Sequence, residues 1–106
     1  MDLNELFKAV ATWGEEKGLN DPVMQYAKIN EEVGELAHEL TRGKCGGVNS
    51  VPSAETIDAI GDILVTVIIF AKIIGVEPDR CLALAYDTIK GRKGETVNGS
   101  FIKKEE

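Results

Sequence analysis

The sequence has little cysteine, histidine or positive charge and no long apolar run, and each shortage removes a class of function. Cys45 and Cys81 are the only cysteines. They form no CxxC pair and no zinc-ligand spacing, so neither a disulfide framework nor a structural zinc site is encoded. A bridge between the two stays open on sequence alone. Two free thiols in a reducing cytoplasm is the simpler reading. His38 is the single histidine. The longest apolar run, Ile63 to Ala71, is ended by Lys72. That is too short to cross a bilayer, so no membrane partner is expected. Met1-Asp2-Leu3-Asn4-Glu5 is acidic where a secretory leader is basic, which points to a cytoplasmic protein. Twelve Lys and Arg stand against 18 Asp and Glu, a formal net charge of −6. A nucleic-acid polymer is therefore not an expected partner, since neutralising its phosphates takes a basic face. A nucleotide is not excluded, because a bound metal reverses local charge.

What is present is a helical chain. Its 106 residues, 43% of them hydrophobic, fit one domain over 1–106 with a modest core. Apolar residues at helical spacing predict four helices, at about 3–17, 22–42, 54–74 and 78–90. Leu3, Leu6, Phe7, Val10 and Trp13 mark the first; Ile29, Val33, Leu36 and Leu40 form the stripe of the second. Asp21 and Pro22 are an N-cap and a first helical residue, and Ser53 can cap the third helix. Gly43 to Pro52 reads as a loop, Gly75 as a helix stop, and 91–106 as a polar, extended tail. From Ile63 onward the third helix is apolar nearly all round, so it needs cover on every side. A second copy in a two-fold pair would provide it.

The acids fall in a pattern. At 100° per residue, Gln25, Lys28, Glu32, Glu35 and Glu39 share an arc of about 80°. Glu31 lies beside it, and the apolar stripe borders it. On the third helix Glu55, Asp58 and Asp62 share a face. Asp62 opens the apolar segment, and a carboxylate is rarely buried unless paired or metal-bound. Packed antiparallel, the two helices bring Glu32 and Glu35 against Asp58 and Asp62. So many like charges repel unless a cation sits among them, and oxygen-only ligands favour Mg²⁺ or Mn²⁺. The plain alternative is a solvated, glutamate-rich helix surface.

Glu31-Glu32-Val33-Gly34-Glu35-Leu36-Ala37, followed after a loop by Ala59-Ile60-Gly61-Asp62-Ile63-Leu64, resembles the MazG-type all-α nucleoside triphosphate pyrophosphohydrolases. Their signature is EExxE, then ExxD on the next helix. The tail pattern Ile89-Lys90-Gly91-Arg92-Lys93-Gly94 with Asn98-Gly99 is also similar to compact members of that family. The resemblance implies an all-α, four-helix fold completed by dimerisation, as dimers or as tetramers built from dimers. It implies Mg²⁺ and cleavage of (d)NTP to (d)NMP and pyrophosphate. Residue by residue, it makes Glu32, Glu35 and Asp62 metal ligands, and Glu31 the ligand of a further ion or the residue that orients water. The sequence departs from the family at Ala59, where ExxD has its glutamate. Asp58, one residue earlier and i, i+4 to Asp62, is the expected substitute. Lys28, Lys90, Arg92, Lys93 and Asn98 are candidates for binding the polyphosphate, with a solvated basic patch as the plain reading.

Two rival functions carry their own signals. Glu35-Leu36-Ala37-His38 is a Glu-x-x-His, the spacing of ferritin-like di-metal proteins. Those sites need two such motifs, and helical-wheel placement turns His38 away from the arc of Glu32 and Glu35. A non-catalytic helical dimer acting as adaptor or regulator would explain the apolar third helix but not acids along a packed seam. Trp13 could stack on a base, though at helical spacing it reads as core. Gln25 is either support for the site or surface.

Overall fold

The computed structural model describes residues 1–47 and 50–104. Val48 and Asn49 of the expected loop and Glu105 and Glu106 of the tail lie outside them. Helices α1 (Leu3–Glu16), α2 (Pro22–Thr41), α3 (Ala54–Ile73) and α4 (Pro78–Lys90) are followed by strands β1 (Gly94–Val97) and β2 (Ser100–Lys103). Each expected helix is present, and the bounds agree to a residue. Capping accounts for that agreement. The Asp21 carboxylate accepts from Val23 N and Met24 N, with Pro22 as the next residue. Ser53 Oγ accepts from Thr56 N. Gly75, at φ 84, ends α3 by donating to the Lys72 carbonyl.

The tail is where expectation and structure part. It is not simply extended: β1 and β2 form an antiparallel hairpin. Asn98 and Gly99 turn it with φ of 51° and 80°. Paired left-handed residues match the right-handed twist of the two strands, and Asn-Gly adopts them at low cost.

α3 is the hub. α1, α2 and α4 all pack on it; α2 packs on neither α1 nor α4, and no strand packs on a helix. Gly14 sets the α1–α3 approach, since a β-carbon there would meet the Ile69 side chain at 3.1 Å. Gln25 Nε2 donates to the Thr66 carbonyl at 3.2 Å, and Ser53 Oγ donates to Glu39 at 3.4 Å. Rising numbers on α2 thus meet falling numbers on α3, so the pair is antiparallel, as expected. The buried residues of α2 are Gln25 and Glu32, not the apolar stripe: Val33 and Leu40 are exposed. The acid face itself forms the seam.

What is left is an open arrangement. Ala11, Ala59, Ile68, Ile69 and Ala71 are the buried apolar residues. The Cα radius of gyration is 16.4 Å, against about 13 Å for a compact chain of this length. Ile57, Ile60, Leu64, Val67 and Ile74 run as an exposed apolar stripe along α3. Trp13, expected in the core, is 48% exposed, because α1 has α3 on one side and nothing over Trp13. No single helix among the described residues is long and apolar enough to cross a membrane.

Candidate functional site

The antiparallel pairing of α2 and α3 opens a groove of about 420 Å³. Glu31, Glu35, His38 and Glu39 line it from α2; Glu55, Asp58, Ala59 and Asp62 line it from α3. Gly34 lies between them on α2 and adds no side chain to the space.

Glu32 lies in the seam. It is 6% exposed, and its Oε2 is buried with no hydrogen-bond partner. Burial raises its pKa, and the neighbouring Glu35 raises it further. Asp62 is raised as well, by burial and then by Asp58 and Glu32. These two shifts tie the helices together electrically: Asp62 of α3 feels Glu32 of α2. Glu31, Glu32 and Glu35 each bring one carboxylate oxygen within 4.8 Å of the others. Oxygens around one Mg²⁺ at about 2.1 Å stand roughly 3–4 Å apart. A rotamer adjustment would bring the three oxygens to those separations, and a cation there would supply the partner that the Glu32 oxygen lacks. On that test the residues fit a hard divalent cation.

The expected site residues separate into two groups. Glu31, Glu32, Glu35, Asp58 and Asp62 are brought together. Lys28 joins them, with Nζ 3.3 Å from Glu31 and 3.6 Å from Glu32. The Glu31 contact is the main cause of its raised pKa. Ala59, where the family pattern has glutamate, is buried in the groove wall, and Asp58 flanks it. Lys90, Arg92, Lys93 and Asn98 are not brought to the groove within one chain, because neither α4 nor the hairpin packs on α2. Lys90 pairs with Asp87 at 2.9 Å and lies over the Tyr86 ring. Asn98 serves the hairpin turn.

His38 is closer to the acids than its wheel position implies, since it reaches the rim of the groove. Its Nε2 lies 3.3 Å from Arg42 Nη1. A guanidinium can only donate, so Nε2 is the acceptor in that contact and is not free for a metal. Of the two readings of Gln25, support holds and surface does not: it is buried and clamps α2 to α3. Its buried amide is anchored one turn beyond Asp62, a role that an arc calculation on one helix does not reveal. A second cavity of about 300 Å³, between α1 and α4, contains the Lys72–Glu77 pair at 2.7 Å. Lys8 and Lys72 there stand against Glu15, Glu77 and Asp79, and among the described residues it holds no orphaned buried group.

Compared with protein-family models, with curated proteins and with solved structures, the chain matches none. What the groove can do is therefore decided by its own chemistry.

Proposed function

We propose that the groove binds Mg²⁺, with Mn²⁺ as a substitute, together with a nucleoside triphosphate, and that the chain hydrolyses the bond between the α and β phosphates. One observation carries the reading: Glu32 is a buried carboxylate whose Oε2 meets no donor while Glu31, Glu35 and Asp62 surround it. A buried carboxylate with one oxygen unsatisfied, three acids around it and only the half-exposed Lys28 at 3.6 Å from its other oxygen, is unfavourable. A cation in the groove removes that cost. Glu31, Glu32 and Glu35 would hold it from one helix, with Asp58 and Asp62 facing them from the other.

Bound there, Mg²⁺ supplies neutralisation of the phosphates and polarisation of a water. The chain's own groups do the rest. Glu31 is exposed at the edge of the cluster and can accept the water's proton. The water oxygen bonds to the α-phosphorus, the bond from that phosphorus to the bridging oxygen breaks, and monophosphate and pyrophosphate leave. Lys28 holds Glu31 and Glu32 in place and adds a cation at the same end. The pool acted on would be cytoplasmic, and the role would be its cleansing or control.

A second copy covering the α3 stripe belongs to the same reading, as a dimer or a dimer of dimers. That stripe also fits a non-catalytic helical adaptor, which needs no cation in the groove. Incubation with a panel of ribo- and deoxyribonucleoside triphosphates, with Mg²⁺ or EDTA, separates the two. Monophosphate plus pyrophosphate, made with Mg²⁺ and lost in Glu35→Gln, is the expected result. Diphosphate plus orthophosphate would reject α–β cleavage, and no turnover would favour the adaptor.

A further inference from the structure

The geometry points to Arg42 and Lys44, at the α2–α3 loop, as the groups that receive the β and γ phosphates; this rests on the nucleotide-hydrolysing reading of the groove. Beside the loop end of the groove lies a cavity of about 220 Å³, lined by Arg42, Lys44 and Ser53. Glu39 and Glu55 line both spaces, so the two adjoin. Lys28, Lys72 and Lys90 each have a carboxylate within 4.0 Å, whereas among the described residues Arg42 and Lys44 have none. Arg42 and Lys44 are thus exposed cations without a carboxylate partner at the end of an acidic groove, the Arg42 guanidinium donating only to the neutral His38 Nε2 at 3.3 Å.

Their placement is built, not incidental. Lys44 N donates to the Glu39 carbonyl at 3.0 Å, and the Lys44 carbonyl accepts from Ser53 N at 2.9 Å and Thr56 Oγ1 at 3.0 Å. Thr56 is 2% exposed. This strap fixes the Lys44 backbone to both helices, and Thr56 is a positioning residue. The same end holds the N-terminus of α3, a helix of 20 residues. Ser53 Oγ caps the Thr56 N–H there, and the dipole of the remaining first turn favours an anion. Arg42 lies seven residues beyond Glu35, about 10 Å along the helix. A triphosphate chain and an arginine side chain together span that gap. Glu39 and Glu55 do not exclude the anion, because polyphosphate arrives as its Mg²⁺ complex.

Calorimetric titration of the full chain with inorganic pyrophosphate, in Mg²⁺, tests the assignment. Arg42→Ala and Lys44→Ala should each weaken binding tenfold or more without lowering the melting temperature, while Lys93→Ala leaves it unchanged. Thr56→Val should weaken binding less, with recovery in Thr56→Ser. Pyrophosphate binding that ignores both Arg42 and Lys44, or no binding by the unaltered chain, overturns the assignment. An unaltered KM for triphosphate in both variants overturns it too, and leaves hydrolysis standing. Pyrophosphate binding that depends on Arg42 and Lys44, in a protein without turnover, keeps the anion site and removes the hydrolysis.

Discussion

The α2–α3 groove and the α4–hairpin end both carry charge but treat it in opposite ways. In the groove, charge is held inside packing: Glu32 is in the seam, Gln25 clamps the helices above it, and the Thr56 strap closes the end. At the other end α4 has no buried residue and both strands are exposed throughout. Lys90 there is answered by Asp87 and by solvent. Removing a solvated charge costs little, whereas removing one that the fold keeps buried among like charges changes what the protein can bind. Function is expected where charge and burial conflict.

The sharpest way to break that contrast is to alter one residue from each end. Glu35→Gln should lower Mg²⁺-dependent turnover at least a hundredfold, because a ligand charge is lost from the cluster. Lys93→Ala should lower it less than tenfold. A hundredfold loss in Lys93→Ala would mean that the hairpin of a second copy enters the groove, and would erase the distinction between the two ends.

Next in size is the α3 stripe. Leu64 is 57% exposed in the single chain, so a lysine there costs the isolated fold little. Across a two-fold interface the same change buries unpaired charge against itself. Leu64→Lys should halve the mass measured by sedimentation equilibrium. An unaltered chain already at monomer mass would show that the stripe is not a self-interface.

Protonation sharpens the contrast further. Glu32 and Asp62 both have raised pKa values when folded. Between the ordinary carboxylate value and those raised values, the folded chain binds more protons than the unfolded one. Stability of the metal-free protein should therefore fall as pH rises through that window and stay low above it. Glu32→Gln should flatten the slope and raise the neutral-pH stability by about 1 kcal/mol, roughly 4–8 °C in Tm. Mg²⁺ should raise the Tm of the unaltered chain at neutral pH and have little effect on Glu32→Gln. A slope that is the same in both proteins would detach the pH response from the groove.

Local signals in this sequence were readable and partner-dependent ones were not. Asp21-Pro22 and Ser53 bound their helices because a cap is chosen by its own few residues. The acids of both helices emerged from rotation along each helix, and antiparallel packing then brought Glu32 and Asp62 together. Trp13 and the α2 stripe were read as core because periodicity marks an apolar face without saying what covers it. Thr56 carries no such local signal, and the partner of Gln25 is invisible for the same reason: each bonds a carbonyl on another segment. Arg42 and Lys44 carry no signal in the sequence, because the strap that places Lys44 runs to Glu39, Ser53 and Thr56 on other segments. The hairpin did have a local signal, Asn98-Gly99, but its strands of four residues each are too short to show alternation.

That hairpin supplies the smallest expected effect and the cleanest control. Gly99 sits at φ 80°, where an alanine is strained, so Gly99→Ala should cost the turn about 1 kcal/mol. Neither strand packs on a helix, so the cost should stay local. Amide exchange across Gly94 to Lys103 should accelerate severalfold, while helix amides, the Mg²⁺-dependent rise in Tm and turnover remain as before. Faster exchange in α2 or α3, or a tenfold loss of turnover, would show that the hairpin is docked in the working assembly. The two ends would then have to be counted as one site.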